Sequence, residues 1–343
     1  MKKKLRLIFI LIVLLLISGA SFVFYTGLKE NLFSCIKNNK SSDEKKDQPT
    51  EMTFIIGGDA MFGRLVDYQF KNNLQSSLEN LGENFFGGKD LSLVNLEGPI
   101  SDFPTNPSTD PNNLIFNFPP ETTQVLKWLG VNAASLANNH SSNQGKTGFE
   151  NTKNALEQEG IVPIGQEFNF NEDSIARFKK GDNQISVIAI NTLETEADIT
   201  QAIAQEKQAK SFVIIFPHWG GEYQTIHSKS QENLAHAWID AGADLIIGSH
   251  SHVIQDAEIY NNKPIFYSLG NLIFDQTFSS ETQQGLIISG KILNNKLTLT
   301  LIPTIQKNLK PELMEGDQKQ EIINRLEEQM GIPSGQDTFE MNL

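Results

Sequence analysis

Asp244-Leu245-Ile246-Ile247-Gly248-Ser249-His250-Ser251-His252 carries a short apolar run through a glycine into two imidazoles. The run ending at Ile247 has the length and composition of a buried strand. The histidines follow where the chain leaves it, and two imidazoles two residues apart in a loop can reach different metal ions. The same grammar recurs upstream. Met52-Thr53-Phe54-Ile55-Ile56-Gly57 precedes Gly58-Asp59, and Leu91-Ser92-Leu93-Val94-Asn95-Leu96 precedes Glu97-Gly98-Pro99. The run Val131–Leu136 precedes Ala137-Asn138-Asn139-His140, and Phe212–Phe216 precedes Pro217-His218-Trp219-Gly220-Gly221-Glu222-Tyr223. Ile185–Ile190 reads as a further strand, and Ile265–Ser268 as another, leading to Leu269-Gly270-Asn271-Leu272-Ile273-Phe274-Asp275, a stretch that either lines a site or simply turns.

Helical stretches lie between these runs: Glu121–Leu129, Gly148–Gln158 and Ser228–Ala241, the last with Leu234, Ala237, Trp238 and Ala241 at helical spacing. Strands alternating with helices predict a layered α/β fold. Gly285–Ile302 alternates around Asn294-Asn295, a hairpin pattern. Asp317–Met330 reads as a largely polar carboxy-terminal helix.

In open α/β sheets, ligands bind beyond the carboxyl ends of strands. Asp59, Glu97, Asn139, His140, His218, His250 and His252 all fall there, including four of the six histidines in the chain. Each alone has a bland explanation: a capping aspartate, a solvated turn carboxylate, an asparagine turn or a packed histidine. A set of carboxylate, amide and imidazole donors after successive strands points instead to a divalent cation site. His227 and His236 stand outside the set, and His236 falls within a helix, where a structural role is expected.

The chain has 343 residues, with 28 Lys and Arg against 41 Asp and Glu. Nine of the basic and three of the acidic residues precede Asp47, so the remainder carries a net charge of −19. That surface excludes nucleic acid as a partner, and any anionic substrate would need a local cationic centre. The only cysteine, Cys35, can form no intramolecular disulfide.

Residues 1–6 are basic and residues 7–28 are uncharged and mostly Leu, Ile, Val and Phe. The length suits a membrane span, and the flanking charges predict a cytoplasmic tail at 1–6 with the domain outside the membrane. The alternative is a cleaved signal peptide ending at Ser18-Gly19-Ala20, which places the remainder on the same side. Residues 29–50 read as a linker, polar through its second half. A domain follows at 51–310, then a helix and tail at 311–343.

The motifs, taken in order over Thr53–Gln276, resemble those of the CapA family, the bacterial capsule (poly-γ-glutamate) synthesis proteins. They are Gly58-Asp59-Ala60-Met61 through Arg64, Asn95-Leu96-Glu97, Ala137-Asn138-Asn139-His140, His218-Trp219-Gly220 with Glu222-Tyr223, Gly248 through His252, and Ser268-Leu269-Gly270-Asn271. That family is similar to calcineurin-like metallophosphoesterases, which implies a four-layer αββα sandwich with one or two divalent metal ions, Mn, Fe or Zn. The resemblance implies that Asp59, Glu97 and His252 hold one metal, and that Glu97, Asn139, His218 and His250 hold the other. His140 would protonate a leaving group, Arg64 and Glu222 would line the pocket, and Trp219, Tyr223 and Asn271 would contact substrate. Met61 stands where calcineurin-like enzymes carry a histidine ligand, and Asn143 where this family commonly has an aspartate. The implied function is synthesis or export of an anionic cell-surface polymer, in company with membrane synthase subunits. A non-catalytic polymer-handling subunit and a general secreted metal-dependent phosphoesterase are the competing expectations.

Overall fold

Two sheets face each other across one apolar cluster, and each turns its other face to helices. The computed structural model describes residues 50–101, 110, 112–333 and 335–343. Residues 1–49, which contain the expected membrane span and nearly all of the linker, lie outside the described residues. Among the described residues no helix is long and apolar enough to cross a membrane.

The first sheet is built on β1 (Met52–Ala60), β2 (Leu91–Leu96), β3 (Ala133–Ser135) and β4 (Val162–Ile164), all parallel. It continues on the other side of β1 through antiparallel β12 (Gln284–Leu293), β13 (Lys296–Lys307) and β14 (Lys310–Leu313). The short β11 (Asn271–Ile273) pairs in parallel with the end of β1, Asp59 opposite Asn271. The second sheet runs β5 (Ile175–Lys180), β6 (Asn183–Asn191), β7 (Phe212–His218), β8 (Leu245–Ile247), β10 (Lys263–Phe266) and β9 (Ala257–Tyr260). Within it β6, β7, β8 and β10 are parallel.

The unbroken apolar character of the central strands follows from burial on both faces. In β7, Phe212, Ile214 and Phe216 enter the cluster between the sheets, while Val213 and Ile215 meet the helices behind. In β1, Phe54 and Ile56 face the other sheet and Ile55 faces the helix layer. The layer behind the first sheet contains α1 (Arg64–Phe70), α2 (Thr122–Leu129) and α3 (Gly145–Gln158). Behind the second lie α4 (Thr200–Gln208) and α5 (Lys229–Asp240). Ser228 and Gln231 cap α5 reciprocally, side chain to backbone, which fixes its start. Its buried stripe is Gln231, Ala235, Trp238 and Ile239; Ala237, expected on that stripe, is exposed.

Asn294 (φ 53°) and Asn295 (φ 59°) form the predicted two-residue hairpin between β12 and β13. The chain after residue 310 is not an appendage. The helix α6 (Gly316–Met330) buries Ile322, Ile323, Leu326 and Met330 in the cluster between the sheets, and β15 (Thr338–Asn342) pairs with β13. The polar look of this segment reflects a helix with one buried stripe, and its last residues alternate as an edge strand does.

Candidate metal centre

The parallel strands of both sheets end at one edge, and their next residues meet there. Asp59 is the penultimate residue of β1, Glu97 follows β2, Asn139 and His140 follow β3, His218 ends β7, and His250 and His252 follow β8. Carboxylate and ring atoms of Asp59, Glu97 and His218 lie within 4.8 Å of one another. His218 Nε2 is 2.9 Å from Asn139 Oδ1 and 3.1 Å from His250 Nδ1. His252 Nδ1 is 3.4 Å from Asp59 Oδ2, and its Nε2 is 3.5 Å from Glu97 Oε1. All six residues inferred as metal ligands therefore converge, and all but the half-buried Asn139 are buried.

The local backbone is built for this approach. A Cβ on Gly58 would stand 1.9 Å from the Gly270 carbonyl oxygen, and one on Gly248 would stand 2.1 Å from that of Tyr267. Only glycine lets these strand ends pass so closely. His250 (φ 96°) and His252 (φ 57°) both have positive φ, as do Arg64 (φ 48°) and Tyr223 (φ 61°). Such conformations cost on the order of 1–3 kcal/mol each in non-glycine residues and gather at functional sites.

The hydrogen-bond network sets which ring nitrogens face inward. Ser249 Oγ donates to the Pro217 carbonyl and lies 3.0 Å from His218 Nδ1. His218 Nε2 lies 2.9 Å from the amide oxygen of Asn139 on the opposite side of the ring, facing the centre. Glu97 Oε1 is buried without a hydrogen-bond partner. Carboxylate, amide and imidazole donors of this kind fit a divalent cation.

Electrostatics agree. Burial, reinforced by neighbouring His250, holds His218 well below the usual imidazole range, and burial with His252 nearby holds His250 at about 4. Both rings are therefore neutral at physiological pH. Burial also works to lower His252, but the Glu97 charge and the Asp59 hydrogen bond outweigh it and push that ring up to about 9. Burial raises Glu97 as well, against the pull of His252. The two groups therefore titrate as a pair rather than independently.

His140 is buried against Phe116, ring centroids 4.1 Å apart, and its Nδ1 lies 3.0 Å from Asn143 Oδ1. Asn143 Oδ1 also accepts from the Phe116 amide at 2.8 Å, so its oxygen faces the ring. Asparagine thus occupies the position where an aspartate is common and orients His140 without adding charge. Burial lowers His140 to about 4. Met61 is fully buried in the helix-side cluster and offers nothing to the centre. Arg64 is ion-paired with Asp275 and lies over the Phe116 and Phe274 rings, at 4.9 and 5.6 Å. Glu222 is exposed, and its charge acts on Glu97, His140, His250 and His252, which places it at the mouth. Tyr223 lies on the rim, its ring 6.1 Å from His252 and 5.1 Å from exposed Phe278.

Two of the three residues expected to contact substrate do other work. Trp219 is fully buried, stacked on Trp238 and Tyr267, with Nε1 donating to the Tyr267 carbonyl at 2.8 Å. It is a core residue, because its side chain turns away from the site that His218 enters. Asn271 is also fully buried, and its amide contacts His252 rather than open space. Asn95, Asn138 and Ser249 also belong to the site, and their only signal in the sequence is adjacency to the motif residues. His227, paired with Asp256, and His236, paired with Glu258, lie elsewhere.

The fold and this cluster define a two-sheet α/β protein with a buried acid–amide–imidazole centre at the shared strand edge. Residues 53–276 match the family described as bacterial capsule synthesis protein PGA_cap, and the chain belongs to that family. It is 27% identical over 252 residues to the PGA biosynthesis protein CapA of Bacillus subtilis (strain 168), covering 67% of this chain and 65% of that protein. It is 28% identical over 288 residues to the capsule biosynthesis protein CapA of Bacillus anthracis, covering 74% of this chain and 67% of that protein. The matches thus span about two thirds of those relatives' length. A solved phosphatase structure from Mycoplasma pneumoniae aligns with 79% of this chain and 97% of its own at 14% identity, with a TM-score of 0.41.

Proposed function

We propose that this protein is a membrane-anchored, extracytoplasmic metal-dependent hydrolase of metallophosphatase type that acts on an anionic polymer during capsule or poly-γ-glutamate synthesis. The convergence of Asp59, Glu97 and His218 within 4.8 Å carries the reading. The order helices, sheet, sheet, helices supports the four-layer αββα architecture. The names of the Bacillus relatives support the polymer. The uncharged run 7–28 behind a basic start supports a single-pass anchor with its amino terminus in the cytoplasm.

Asp59, Glu97 and His252 would hold one cation; Glu97, Asn139, His218 and His250 would hold a second. A bound divalent cation supplies Lewis acidity that activates water and offsets developing negative charge. His140, oriented through Nδ1, presents Nε2 to a reacting oxygen. Arg64, held by Asp275, fixes a positive charge beside the centre, and Glu222 screens the mouth against anions that the cations do not bind.

One observation favours a second reading, a polymer-handling subunit that binds without hydrolysing. With a pKa of about 4, His140 is almost wholly unprotonated at neutral pH and a weak acid catalyst.

The test is metal analysis of the chain from Gln48 onward, followed by a screen of phosphomonoesters, phosphodiesters and γ-linked polyglutamate with and without Mn, Fe or Zn. Bound or titratable metal with metal-dependent turnover is expected. Metal with polymer binding but no turnover selects the second reading. No metal at purification and none on titration overturns the metal-dependent hydrolase.

A further inference from the structure

We infer that Asn95 is a positioning residue that divides the oxygens of Asp59 and Glu97 between protein and cation, and that Asn138 holds it in that orientation. The inference rests on the metal reading above.

One nitrogen touches all three members of the acid–imidazole cluster. Asn95 Nδ2 donates to Asp59 Oδ1 at 2.9 Å and to Glu97 Oε2 at 3.2 Å, and lies 3.3 Å from His218 Nδ1. A primary amide has two N–H groups, and two carboxylates use both. Each carboxylate therefore gives one oxygen to the amide and keeps the other. The oxygens kept are the inward ones: Glu97 Oε1, which has no hydrogen-bond partner, and Asp59 Oδ2, which faces His252 and uses one lone pair to accept from the His250 backbone amide at 3.2 Å. Without that division Glu97 could rotate and offer the wrong oxygen, and Asp59 would be held only through its Oδ2 contact with the His250 amide.

The amide is neutral, which matters for a centre that must accept a cation. A lysine here would satisfy the same oxygens but repel the metal. Asn95 stabilises the anionic carboxylates through charge-assisted hydrogen bonds without adding charge. Its place is set by the sheet, because Asn95 pairs with Asp59 across β1 and β2 in a fixed register.

An amide can also flip, and Asn138 prevents it. Asn138 Nδ2 donates to Asn95 Oδ1 at 3.1 Å and to the Leu96 carbonyl at 2.9 Å. Its own Oδ1 accepts from the His140 backbone amide at 3.1 Å. Both asparagines are fully buried, so no water competes for these contacts. The chain of two amides thus runs from the loop that carries His140 to the carboxylates that hold the cation.

The test is Mn titration of the full-length protein in detergent, by calorimetry and by the Mn electron paramagnetic resonance signal, for wild type, Asn95→Leu and Asn138→Ser. Outer partners of metal ligands are commonly worth about 10–100-fold in affinity. Asn95→Leu should weaken Mn binding by about that factor and broaden the resonance spectrum. Asn138→Ser, which leaves the ligands and Asn95 in place, should weaken binding by roughly threefold or more. A merely structural role would lower the melting temperature of the metal-free protein and leave the Mn affinity unchanged; that result overturns the inference. If Asn95→Leu fails to fold, Asn138→Ser decides alone, and wild-type affinity in it overturns the inference. No Mn uptake by the wild type overturns the metal reading itself, and with it the role of the amides.

Discussion

Asn271 Oδ1 lies 3.0 Å from His252 Nδ1, and the other end of the same amide is committed elsewhere. Asn271 Nδ2 donates to the Thr282 carbonyl at 2.9 Å and to Gln276 Oε1 at 3.2 Å. The amide cannot turn, so its oxygen must accept a proton from Nδ1 of His252, and Nε2 is the atom left facing Glu97. Such partners fix the tautomer of a metal-binding histidine. Replacing Asn271 by Leu, of similar volume, should weaken Zn binding by about 10–100-fold. In the Zn-loaded wild type, nitrogen NMR should find the His252 proton on Nδ1. A proton on Nε2, or undiminished affinity in the variant, would contradict the assignment.

The proton held by the Glu97–His252 pair gives metal binding a pH dependence of definite sign. His252 is raised to about 9 without metal, whereas a ligand ring must be free of the proton on Nε2. Binding therefore releases a proton below about pH 9. Affinity for Mn should climb about tenfold per pH unit between pH 6 and 8 and level off above 9. His218 and His250 add nothing to the slope there, since both are already neutral. The same raised pKa stabilises the metal-free fold: the contribution is complete below the ordinary imidazole value of 6.5 and is lost as pH rises through about 9. Calorimetric titrations in buffers of different ionisation enthalpy count the proton directly. A pH-independent affinity over that interval would refute the pairing.

The chemistry of this site was easier to read from sequence than its support. Asp59, Glu97, His218, His250 and His252 stand directly after long apolar runs, where chain direction alone places them at one edge. The strand Val162–Ile164 contains Pro163, and Asn271–Ile273 is three residues long; neither has enough periodicity to announce a strand. Asn95 looks like a stray polar residue in a strand and Asn138 like a turn-forming asparagine until the fold sets them beside two carboxylates. Asp275 shows its purpose only when Arg64, far away in the chain, arrives beside it. Trp219 misleads because it follows His218 and precedes two glycines, where aromatic residues suggest substrate contact, and one residue of strand geometry turns it to the opposite face.

That reversal makes Trp219 a test of stability rather than of substrate binding. Its indole stacks on Trp238 at 5.4 Å between centroids and donates to a buried carbonyl. Trp219→Ala should destabilise the domain by about 3–5 kcal/mol, the usual cost of emptying such a volume. The metal affinity of whatever protein remains folded should stay within about threefold of wild type, since no ligand atom is removed. Chemical denaturation measures the first and Mn titration the second. Wild-type stability with altered substrate selectivity would restore Trp219 to the substrate face.

Ending the chain at residue 310 would seem harmless if the remainder were a polar helix and tail, but the packing argues otherwise. Ile322, Ile323, Leu326 and Met330 on α6 enter the cluster between the sheets, each on the order of 2 kcal/mol of burial, an upper estimate. The strand Thr338–Asn342 adds a ladder along β13, Lys296 opposite Asn342 through Thr300 opposite Thr338. Truncation also removes β14 beyond Lys310, so apolar surface is exposed and the edge of β13 away from β12 is left unpaired, and an exposed edge invites aggregation. The total loss is comparable to the whole stability of a typical domain. The truncated protein is therefore expected to appear in inclusion bodies or to melt without a cooperative transition. Soluble expression of residues 50–310 with a sharp thermal transition and wild-type metal content would show that the sandwich closes without its carboxy-terminal segment.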